Sequence, residues 1–507
     1  MSLSLVQSRV LVGLRTAPVT VEVHLANGLP SFTLVGLADT EVKESRERVR
    51  SALLTCGLEF PHNKRITVNL APADLPKDSG RFDLPIALGI LAASGQVDGA
   101  RFAGHEFGGE LSLSGELRAV RGALAMSLAL QAQGTAVRLV LPPGSAEEAA
   151  LVPGAHVYRA HHLLDVVRQF MPQPDAEAAH GWSRIEAAAP AGLPAYPDLA
   201  DVKGQAAARR ALEIAAAGGH SLLLVGPPGA GKSMLAHRFA GLLPAMEVAE
   251  ALESAAVASL AGRFTLQDWG TRPTRTPHHS ASAVALVGGG SPPRPGEISL
   301  AHHGVLFLDE LPEFPRPALE ALREPLETGR ISIARATSRA DFPARFQFIA
   351  AMNPCPCGWL GTPQRACRCT PDQVARYQGK LSGPLLDRID LHVEVPPLAP
   401  EDLLAAPAGE PSVRVRERCS AARARAVARQ GQANHLLEGA ALLAHAAPRA
   451  DADKFLRTAA ARLGWSGRAL HRCLRVARTI ADLEGAAGVE LVHVAEAVQY
   501  RRALHTM

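Results

Sequence analysis

The chain has little net charge, no long apolar run and no recognisable export segment, and each shortage excludes a class of protein. Its formal charge is +4 over 507 residues, so attraction to nucleic acid would depend on local arginine clusters. The most apolar stretch, LPIALGILAASG, is too short to cross a bilayer, and the start, MSLSLVQSRVLVGL, lacks a basic segment followed by an apolar one. We therefore expect a cytoplasmic protein that does not bind a membrane.

Cysteine is also scarce, with seven residues in the whole chain. The number is odd, and four of them crowd between positions 355 and 369. This distribution argues against a secreted disulfide framework and favours reduced thiols or a metal site.

The length predicts about three domains, because single cores rarely exceed roughly 250 residues. Residues 1–170 read as a mixed α/β domain. Alternation from Val19 to Leu25, followed by Asn27 and Gly28, predicts a hairpin. A helix is predicted from Thr40 to Gly57, and the stretch RITVNL predicts a further strand.

The rest of the chain divides into three further segments. Residues 171–195 are rich in Ala and Pro without a sustained period, which is typical of a linker. Residues 196–398 alternate apolar strands with helices, a pattern that predicts a parallel sheet, and residues 399–507 are almost entirely helical. The predicted fold class is therefore α/β, and we find no internal repeat.

A phosphate-binding loop is predicted where the apolar strand in SLLLVGPPGAGKS runs into the helix MLAHRFAGLL. Glycines there allow backbone N–H groups to approach phosphate oxygens, Lys232 reaches the outer phosphates of ATP, and Ser233 holds Mg²⁺. The predicted nucleotide-binding residues are Gly226, Pro227, Pro228, Gly229, Ala230, Gly231, Lys232 and Ser233.

Two further strand ends predict the rest of a hydrolytic site. GVLFLDE delivers Asp309, a ligand of Mg²⁺ through water, and Glu310, which orients the attacking water. Asn353 ends the strand ARFQFIAAMN and suits a residue that holds the same water. Alone, the acidic pair could be a helix cap and Asn353 a turn residue.

Four motifs, GPPGAGKS, GVLFLDELPEF, AAMNPCPCG and SGPLLDRIDLHVEVP, together resemble the magnesium-chelatase-like AAA+ proteins of the ComM/YifB type. GLADTEVKESRERVRSAL and HRCLRVARTIADL extend the resemblance toward both ends. It implies a central AAA+ P-loop domain, a C-terminal helical lid domain and a homo-oligomeric ring, expected to be a hexamer, with ATP at each subunit interface. Bacterial members of this family are DNA branch-migration motors in natural transformation.

The same resemblance assigns two arginines. Arg388 in LLDRIDL matches the finger that a neighbouring subunit inserts against the γ-phosphate; the alternative is a surface pair with Asp387 or Asp390. Arg468 in SGRAL matches a second nucleotide sensor. Arg472 and Arg475 share its helical face, and for them a solvated basic face is the simpler interpretation.

The cysteine cluster comprises two C-x-C pairs, Cys355 with Cys357 and Cys367 with Cys369, joined by a short loop containing Gly358 and Gly361. Four thiolates suit tetrahedral Zn²⁺, although C-x-C is tighter than the usual ligand spacing. We expect a structural zinc, with reduced thiols and then disulfides as the alternatives.

The first domain resembles the proteolytic domain of Lon proteases through LPKDSGRFDLPIALGIL and GELSLSGELRAVRGALAMSLAL, which implies an α/β domain of the ribosomal S5 type. Arg81 or Phe82 stands where that family has its serine, Ala125 stands in place of its lysine, and Ser79 is out of register. A Ser-Lys mechanism has lost both parts, so we expect a non-catalytic domain for assembly or a partner.

DNA, branched or single-stranded, is the expected partner. The Gly- and Pro-rich residues 269–304 are predicted to project as a pore loop, and RISIARATSRADFPARF to form a hairpin. The candidate phosphate contacts are Arg272, Arg275, His278, His279, Arg335 and Arg339. A solvated surface is the alternative for each arginine and the interpretation for the basic run 414–429, and the histidine pairs at 278 and 302 are expected to be structural.

Three functions remain open at this point. The first is an ATP-driven DNA motor, the second a chaperone-like ATPase that helps a partner enzyme insert Mg²⁺ into a porphyrin, and the third an ATP-gated scaffold.

Overall fold

The structure is a computed structural model, and it describes residues 2–12, 14–36, 40–75, 77, 80–134, 136–171, 182–186, 196–290, 293–334, 339–398, 401 and 407–501. The chain forms two compact units. The first comprises Met1–Ala191 with Ala255–Trp269, and the second comprises Gly192–Ser254 with Gly270–Met507.

The first unit contains two four-stranded sheets and five helices among its described residues. Its strands are β1 (Ser2–Val12), β2 (Arg15–Ala26), β3 (Ser31–Val35), β4 (Arg65–Ala71), β5 (His105–Phe107), β6 (Glu110–Leu111), β7 (Leu117–Arg118), β8 (Arg138–Leu141), β9 (His156–Ala160) and β10 (Trp182–Ile185). Its helices are α1 (Thr40–Thr55), α2 (Asp83–Ala93), α3 (Ala123–Ala132), α4 (Ser145–Ala150) and α5 (Leu163–Gln169).

The strand orders are β1-β2-β4-β3 and β10-β9-β8-β5, and β6 pairs with β7. The predicted hairpin after Asn27 is wrong, because β2 pairs antiparallel with β1 and with β4, whereas β3 pairs parallel with the far edge of β4. The alternation of apolar and polar residues in β2 correctly predicted a strand with one face toward the core, but it did not indicate which strand pairs with β2. The predicted helix α1 and strand β4 are confirmed, with Val42, Val49 and Leu53 fully buried.

Part of the predicted linker belongs to the first unit. Strand β10 pairs antiparallel with β9, and the Trp182 ring lies 5.3 Å from Tyr158 and 5.9 Å from Phe170 between centroids. An aromatic side chain with neighbours to bury against stabilises a strand in a segment without periodicity. Residues 172–181 and 187–195 of the predicted linker lie outside the described residues.

The second unit is built on a parallel sheet of five strands in the order β12-β15-β18-β11-β19. Its strands are β11 (Leu222–Val225), β12 (Thr274–Arg275), β13 (Gly288–Gly289), β14 (Arg294–Pro295), β15 (Val305–Leu308), β16 (Arg330–Ala334), β17 (Arg339–Pro343), β18 (Gln347–Met352) and β19 (Leu391–Glu394). The parallel sheet predicted for this part of the chain is confirmed, because β11 and β15 are apolar and buried at every position, as strands covered on both faces must be.

The helices of the second unit cover the sheet and continue beyond it. Those that accompany the strands are α6 (Ala206–Gly218), α7 (Lys232–Arg238), α8 (Val248–Leu260), α9 (Ala283–Val287), α10 (Glu297–Leu300), α11 (Arg316–Ala321), α12 (Arg323–Thr328), α13 (Pro371–Gln378) and α14 (Gly383–Leu386). Those that follow are α15 (Ser412–Gln430), α16 (Gly439–Ala446), α17 (Ala450–Arg462), α18 (Gly467–Glu484) and α19 (Leu491–Gln499). Helix α8 ends in residues that belong to the first unit. Residues from the sheet and from α15 to α19 share one hydrophobic core.

The basic run in α15 is only partly the solvated face that its composition predicted, because Arg414, Arg418 and Arg425 are exposed whereas Arg423 and Arg429 are not. Arg423 is bonded to the carbonyl oxygens of Ala216 and Ala217, and Arg429 pairs with Asp482 at 2.6 Å. These arginines fasten α15 to α6 and α18, because helix C-terminal carbonyls and a buried carboxylate both need donors. Among the described residues, no helix is both long and apolar enough to cross a bilayer.

Candidate nucleotide-binding site and cysteine cluster

The loop between β11 and α7 passes so close to the sheet that glycine is required at its first position. A Cβ atom on Gly226 would lie 2.2 Å from the carbonyl oxygen of Val395, and its own N–H donates to the Met352 carbonyl at 3.2 Å. The predicted loop therefore starts at the carboxyl ends of β11, β18 and β19. This is the edge at which open parallel sheets bind ligands.

Lys232 folds back over this loop. Its Nζ donates to the carbonyl oxygens of Gly226 at 2.7 Å and Pro227 at 2.9 Å, and to Oδ1 of Asn353 at 3.0 Å. Burial lowers the pKa of Lys232, while the nearby carboxylates of Asp309 and Glu310 oppose that shift. The structure thus brings together the predicted phosphate-binding lysine and the predicted amide at the end of β18.

The acidic strand end meets the same loop. Oγ of Ser233 donates to Oδ2 of Asp309 at 2.5 Å. A hydroxyl and a carboxylate are oxygen ligands of the kind Mg²⁺ takes, so the donor set fits the predicted metal. Glu310 follows with a φ of +51°, in the left-handed region that a glutamate rarely occupies, and its N–H donates to Oδ1 of Asp309 at 2.9 Å.

His279, which belongs to the candidate DNA-binding segment, contacts the side chain of Glu310. Nδ1 of His279 is 3.0 Å from Oε2 of Glu310, and 37% of the His279 side chain and 54% of the Glu310 side chain are exposed. The contact follows from topology, because β12 and β15 are adjacent parallel strands and the chain leaves both at the same edge. The sequence predicted roles for both residues but not their proximity.

The four cysteines converge. The sulfur atoms of Cys355, Cys357 and Cys367 are 3.4 to 3.6 Å apart, and Cys369 completes a group that lies within 4.8 Å. A tetrahedral zinc with Zn–S bonds of about 2.3 Å separates sulfurs by about 3.8 Å, so the cluster fits this metal. Backbone N–H groups of Arg368 and Trp359 lower the pKa of the Cys357 thiol to about 6.

The cysteine loop also touches the phosphate loop. Gly358 has a φ of +83°, and a Cβ atom there would lie 2.5 Å from Cδ of Pro228. Cys355, at the start of the cluster, is fully buried two residues after Asn353. The cluster therefore lies directly against the predicted nucleotide site.

The two predicted arginines meet one carboxylate. Arg388 is only 8% exposed; its Nη2 pairs with Oε1 of Glu327 and its Nη1 donates to the carbonyl of Pro384 at 2.6 Å. Arg468 is 73% exposed, with Nη1 at 3.8 Å from the same Glu327 oxygen. The ion-pair partner of Arg388 is thus Glu327, rather than the neighbouring Asp387 or Asp390 of the alternative interpretation.

Arg472 and Arg475 do not form the solvated stripe that helical periodicity predicted. Arg472 donates to Oδ1 of Asp390 at 2.7 Å and to the carbonyl of Arg388 at 2.8 Å, and only 14% of the Arg475 side chain is exposed. Burial raises the pKa of Asp390, but Arg472 and His220 outweigh that effect and hold it well below the usual range. In the sequence, Asp390 is a charged residue directly before the apolar strand β19, and this position could have indicated a buried ion pair.

The remaining DNA candidates differ in their surroundings. Arg272 is bonded to the carbonyls of Pro244 and His303, both at 2.7 Å, which does not favour a phosphate contact. Arg275 pairs with Glu297 at 2.6 Å, and His278 is bonded to Ser280 at 2.8 Å. Strands β16 and β17 form the predicted hairpin, in which Arg339 pairs with Ala334. Arg335 lies outside the described residues.

The predicted pore loop is more ordered than its composition indicated. It contains β12, α9, β13, β14 and α10 among its described residues. Leu286 and Ile298 are fully buried, so these two side chains pack parts of the segment into the core. Residues 291 and 292 lie outside the described residues.

The second histidine pair is held by Glu253 of α8, whose Oε2 accepts from His302 at 3.0 Å and from His303 at 2.9 Å. Nδ1 of His302 accepts from the Arg345 N–H at 3.0 Å, so Nε2 carries the proton. That nitrogen has no lone pair left for a metal, and the arrangement agrees with a structural role.

The Lon-like positions are buried in the first unit. Arg81 is 1% exposed and donates to the carbonyl of Arg121 at 3.2 Å, and Phe82 and Ala125 are also buried. Ser79 lies outside the described residues. Either Arg81 or Phe82 thus fills the place at which the resemblance would put a serine nucleophile, and neither side chain can act as one.

A glycine-rich loop, an acidic strand end and an amide strand end on one edge of a parallel sheet define a P-loop nucleotide-binding protein. Family models agree on a narrower class. The model described as magnesium chelatase, subunit ChlI, matches residues 198–403. A second model, described as subunit ChlI of Mg-chelatase, matches residues 21–145, and a model of the C-terminal part of subunit ChlI matches residues 409–501.

Relatives extend the similarity over nearly the whole chain. The competence protein ComM of Haemophilus influenzae is 50% identical over 505 residues, covering 99% of this chain and 98% of its own. The uncharacterised protein YifB of Salmonella typhimurium is 49% identical, covering 99% and 97%. An uncharacterised protein of Mycobacterium tuberculosis is 42% identical, covering 97% of each chain. The chain belongs to the ComM/YifB-type magnesium-chelatase-like family, whose core is of the AAA+ type.

Proposed function

We propose that this protein is an ATP-driven DNA motor that acts as a homo-oligomeric ring and moves branched DNA during natural transformation or recombination. The observation that carries the proposal is the convergence of Lys232, Ser233, Asp309 and Asn353 beside Glu310. The name of the Haemophilus influenzae relative, a competence protein, supports DNA as the substrate.

In the proposed hydrolysis each side chain has a separate task. Lys232 would exchange its loop carbonyls and Asn353 for the outer phosphates of ATP. Ser233 and Asp309 would hold Mg²⁺, whose charge would offset that of the phosphate oxygens. Glu310 accepts a hydrogen bond from the attacking water and aligns it for in-line displacement. Asn353, once Lys232 has moved, holds the same water.

The proposed ring completes the site with arginines. Arg388 would leave Glu327 to reach the γ-phosphate of a neighbouring subunit, and Arg468, which is largely exposed, would report on bound nucleotide. Because Glu327 binds Arg388 in the isolated chain, Arg388 would act as a finger only when ring assembly brings it to the γ-phosphate, an anion that binds it more strongly. We expect six subunits, as the family resemblance implies.

The proposed DNA contact is made to the phosphate backbone. One candidate surface is the hairpin β16–β17, in which Arg339 pairs with Ala334. The other is the segment that carries Arg275, His278 and His279, and Arg335 stays a candidate from the sequence alone. Backbone contacts carry no sequence information, so the motor should act on any sequence.

The cysteine cluster is proposed to hold one structural Zn²⁺ through Cys355, Cys357, Cys367 and Cys369. Four sulfur ligands leave no open position, so the metal would stabilise the loop rather than take part in chemistry.

A second candidate follows from the family models, which describe magnesium chelatase subunits. In that case ATP hydrolysis would serve a partner enzyme that inserts Mg²⁺ into a porphyrin. An ATP-gated scaffold is the third.

Measuring ATP turnover with and without forked or four-way DNA separates these candidates. If the protein is a motor, DNA should raise its ATP turnover, and ATP should drive strand exchange at a mobile junction. The affinity for DNA should fall as salt rises. The slope of log affinity against log salt concentration should decrease by roughly one unit when Arg335 or Arg339 is replaced by alanine. Turnover unchanged by every DNA geometry but raised by a porphyrin-metallating partner would establish the second candidate instead.

A further inference from the structure

The proposed finger Arg388 belongs to a turn, residues 388–390, that joins helix α14 to strand β19. The N–H groups of Arg388 and Ile389 donate to carbonyl oxygens at the end of α14, both at 3.0 Å. The N–H group of Asp390 donates to Oγ of Ser221 at 2.9 Å. Each N–H group of the turn is therefore bonded.

The carbonyl oxygens of the same turn accept from the side chains of distant segments. That of Arg388 accepts from Oγ of Ser221 at 3.0 Å and from Nη1 of Arg472 at 2.8 Å. Those of Ile389 and Asp390 accept from Nη1 of Arg501, both at 3.2 Å. A turn whose main-chain polar groups are all bonded has little freedom to move, because any shift would break several bonds together.

Ser221 and Arg472 hold the carboxylate of Asp390 as well. The Ser221 N–H donates to Oδ2 at 3.1 Å, and Nη1 of Arg472 donates to Oδ1 at 2.7 Å. The Ser221 hydroxyl lies closer to the Arg388 carbonyl, at 3.0 Å, than to Oδ2, at 3.3 Å, so we assign its proton to the carbonyl. Each of these two residues thus bonds to the turn at both of its ends.

The side chain of Arg388 is held less completely than its main chain. Nη2 pairs with Glu327, whose side chain is 44% exposed, and Nη1 donates to the carbonyl of Pro384 at 2.6 Å. Nε is buried and has no hydrogen-bond partner among the residues that the structure describes. A guanidinium group with an unsatisfied buried N–H is stabilised when a phosphate group offers it further acceptor oxygens. The side chain is therefore the part of Arg388 that can move.

We propose that Ser221 and Arg472 are positioning residues that fix the main chain at Arg388, so that only its side chain has to turn toward the γ-phosphate of the neighbouring subunit. This inference rests on the proposed ring with Arg388 as its finger, and it does not depend on DNA. A finger on a fixed main chain loses less conformational freedom when it binds. A misplaced main chain slows the chemical step even when the finger residue is intact.

The first test measures steady-state ATP turnover and equilibrium nucleotide binding of the full-length protein. Ser221→Ala removes two hydrogen bonds without leaving a charge unpaired, and Arg472→Lys keeps a cation beside Asp390, so both variants should fold. Each should lower kcat, Ser221→Ala by about tenfold, and leave nucleotide affinity within about twofold of wild type. Unchanged affinity matters because Ser221 directly precedes β11, which ends at the phosphate loop, and damage to that strand would weaken nucleotide binding.

Arg475→Ala is the matched control for Arg472. The two arginines lie on helix α18 and are similarly buried, with 14% of the Arg475 side chain and 16% of the Arg472 side chain exposed. Arg475 donates to Glu438 at 3.5 Å and, among the described residues, forms no hydrogen bond with the turn. Arg475→Ala should therefore keep kcat within about twofold of wild type.

Mixed rings show on which subunit's nucleotide a variant acts. Lys232→Ala chains lack the phosphate site but carry an intact turn and finger. Mixing them in equal amounts with Ser221→Ala chains should raise the turnover per Ser221→Ala chain about fivefold, because half of those chains then receive an intact finger from a neighbour. A defect confined to a chain's own site gives no such rise. Arg388→Ala, mixed with Lys232→Ala in the same way, is the reference.

The outcomes distinguish this inference from the proposed function. If rings shown to contain both chains recover activity for Arg388→Ala but not for Ser221→Ala, the inference is overturned and the ring with its finger stands. Wild-type turnover in Ser221→Ala or Arg472→Lys would refute the role of the residue replaced. Weaker nucleotide binding by Ser221→Ala without recovery would assign Ser221 to the phosphate site of its own subunit. If Arg388→Ala does not recover either, the proposed finger fails and the inference fails with it.

Discussion

Gly358 of the cysteine loop packs directly against Pro228 of the phosphate loop, at a distance that leaves no room for a Cβ atom. The two residues are far apart in sequence, and the contact places the cysteine loop against the candidate nucleotide-binding loop. A loop fixed by four sulfur ligands is a rigid support, whereas the same loop without metal would hold Pro228 less firmly.

Gly358→Ala should therefore weaken nucleotide binding. The new methyl group would lie 2.5 Å from Cδ of Pro228, so one of the two loops must shift. Gly361→Ala is a matched control, because Gly361 also has a positive φ, of +72°, but a Cβ atom there meets nothing within 4 Å. Titration with a fluorescent nucleotide should show an affinity at least about tenfold lower for Gly358→Ala than for Gly361→Ala. Equal affinities would refute the support role.

The zinc prediction concerns metal content and stability together. Freshly purified protein should carry about one Zn²⁺ per chain, and Cys355→Ser combined with Cys357→Ser should remove it and lower the melting temperature. Cys56→Ser is the control, since Cys56 lies outside the cluster, half-buried in the first unit. Elemental analysis that found well under one zinc per chain in unchelated protein would count against the assignment.

The parts of this site that could be predicted from sequence are those encoded by contiguous residues. Strands β11 and β15 are uninterrupted apolar runs, so the loop that follows one and the acidic pair that follows the other were both identifiable. Parallel pairing then brought Ser233 to Asp309 and Lys232 to Asn353 without further information.

The contacts that sequence could not predict join distant segments without a periodic signal. Glu327 with Arg388, Asp390 with Arg472, and Arg423 with the end of α6 are ion pairs or capping bonds set by tertiary packing. Composition and helical periodicity classify Arg472 and Arg423 as solvated, because neither contains the position of the partner residue. The hairpin assigned after β2 was wrong for the same reason, since alternation reveals a buried face and not the neighbouring strand.

Nucleotide binding and ATP hydrolysis should be affected separately by mutations at Lys232 and Glu310. Lys232→Ala removes the ammonium group that is expected to leave its loop carbonyls and bind the phosphates of ATP. The variant should therefore bind nucleotide roughly ten- to a hundredfold more weakly. Glu310→Gln keeps every phosphate contact and should bind ATP normally while losing turnover. Equilibrium binding and steady-state ATPase measurements on both variants test this, and unchanged ATP affinity in Lys232→Ala would disprove the phosphate role.

Asp390 should stabilise the second unit in a pH-dependent manner. Its pKa is held well below the usual range by Arg472 and His220 against the effect of burial, so its contribution is present above the unfolded pKa of about 3.9 and is lost as pH falls below that value. Asp390→Asn leaves Arg472 without its carboxylate and should cost about 3 to 5 kcal/mol at pH 7.

Denaturant unfolding of wild type and Asp390→Asn at several pH values tests this contribution. The difference between the two should narrow as pH falls below about 3.9, because the unfolded wild-type chain takes up a proton there while the folded carboxylate stays ionised. Asp387→Asn changes an exposed carboxylate one turn away and should stay within about 0.5 kcal/mol of wild type. A pH-independent difference, or an equal loss in Asp387→Asn, would show that the buried pair is not its origin.

Arg388 should act on the nucleotide of a neighbouring subunit. Arg388→Ala and Lys232→Ala should each be inactive alone, because the first lacks the finger and the second lacks the phosphate site. In mixed rings, some interfaces combine an intact Lys232 site with an intact Arg388 from the next subunit, and these should recover part of the wild-type ATPase rate. The activity should pass through a maximum near equal proportions of the two variants. If rings shown to contain both chains stay inactive at every ratio, Arg388 works within its own subunit, and its pair with Glu327 is then a structural ion pair rather than the resting position of a finger.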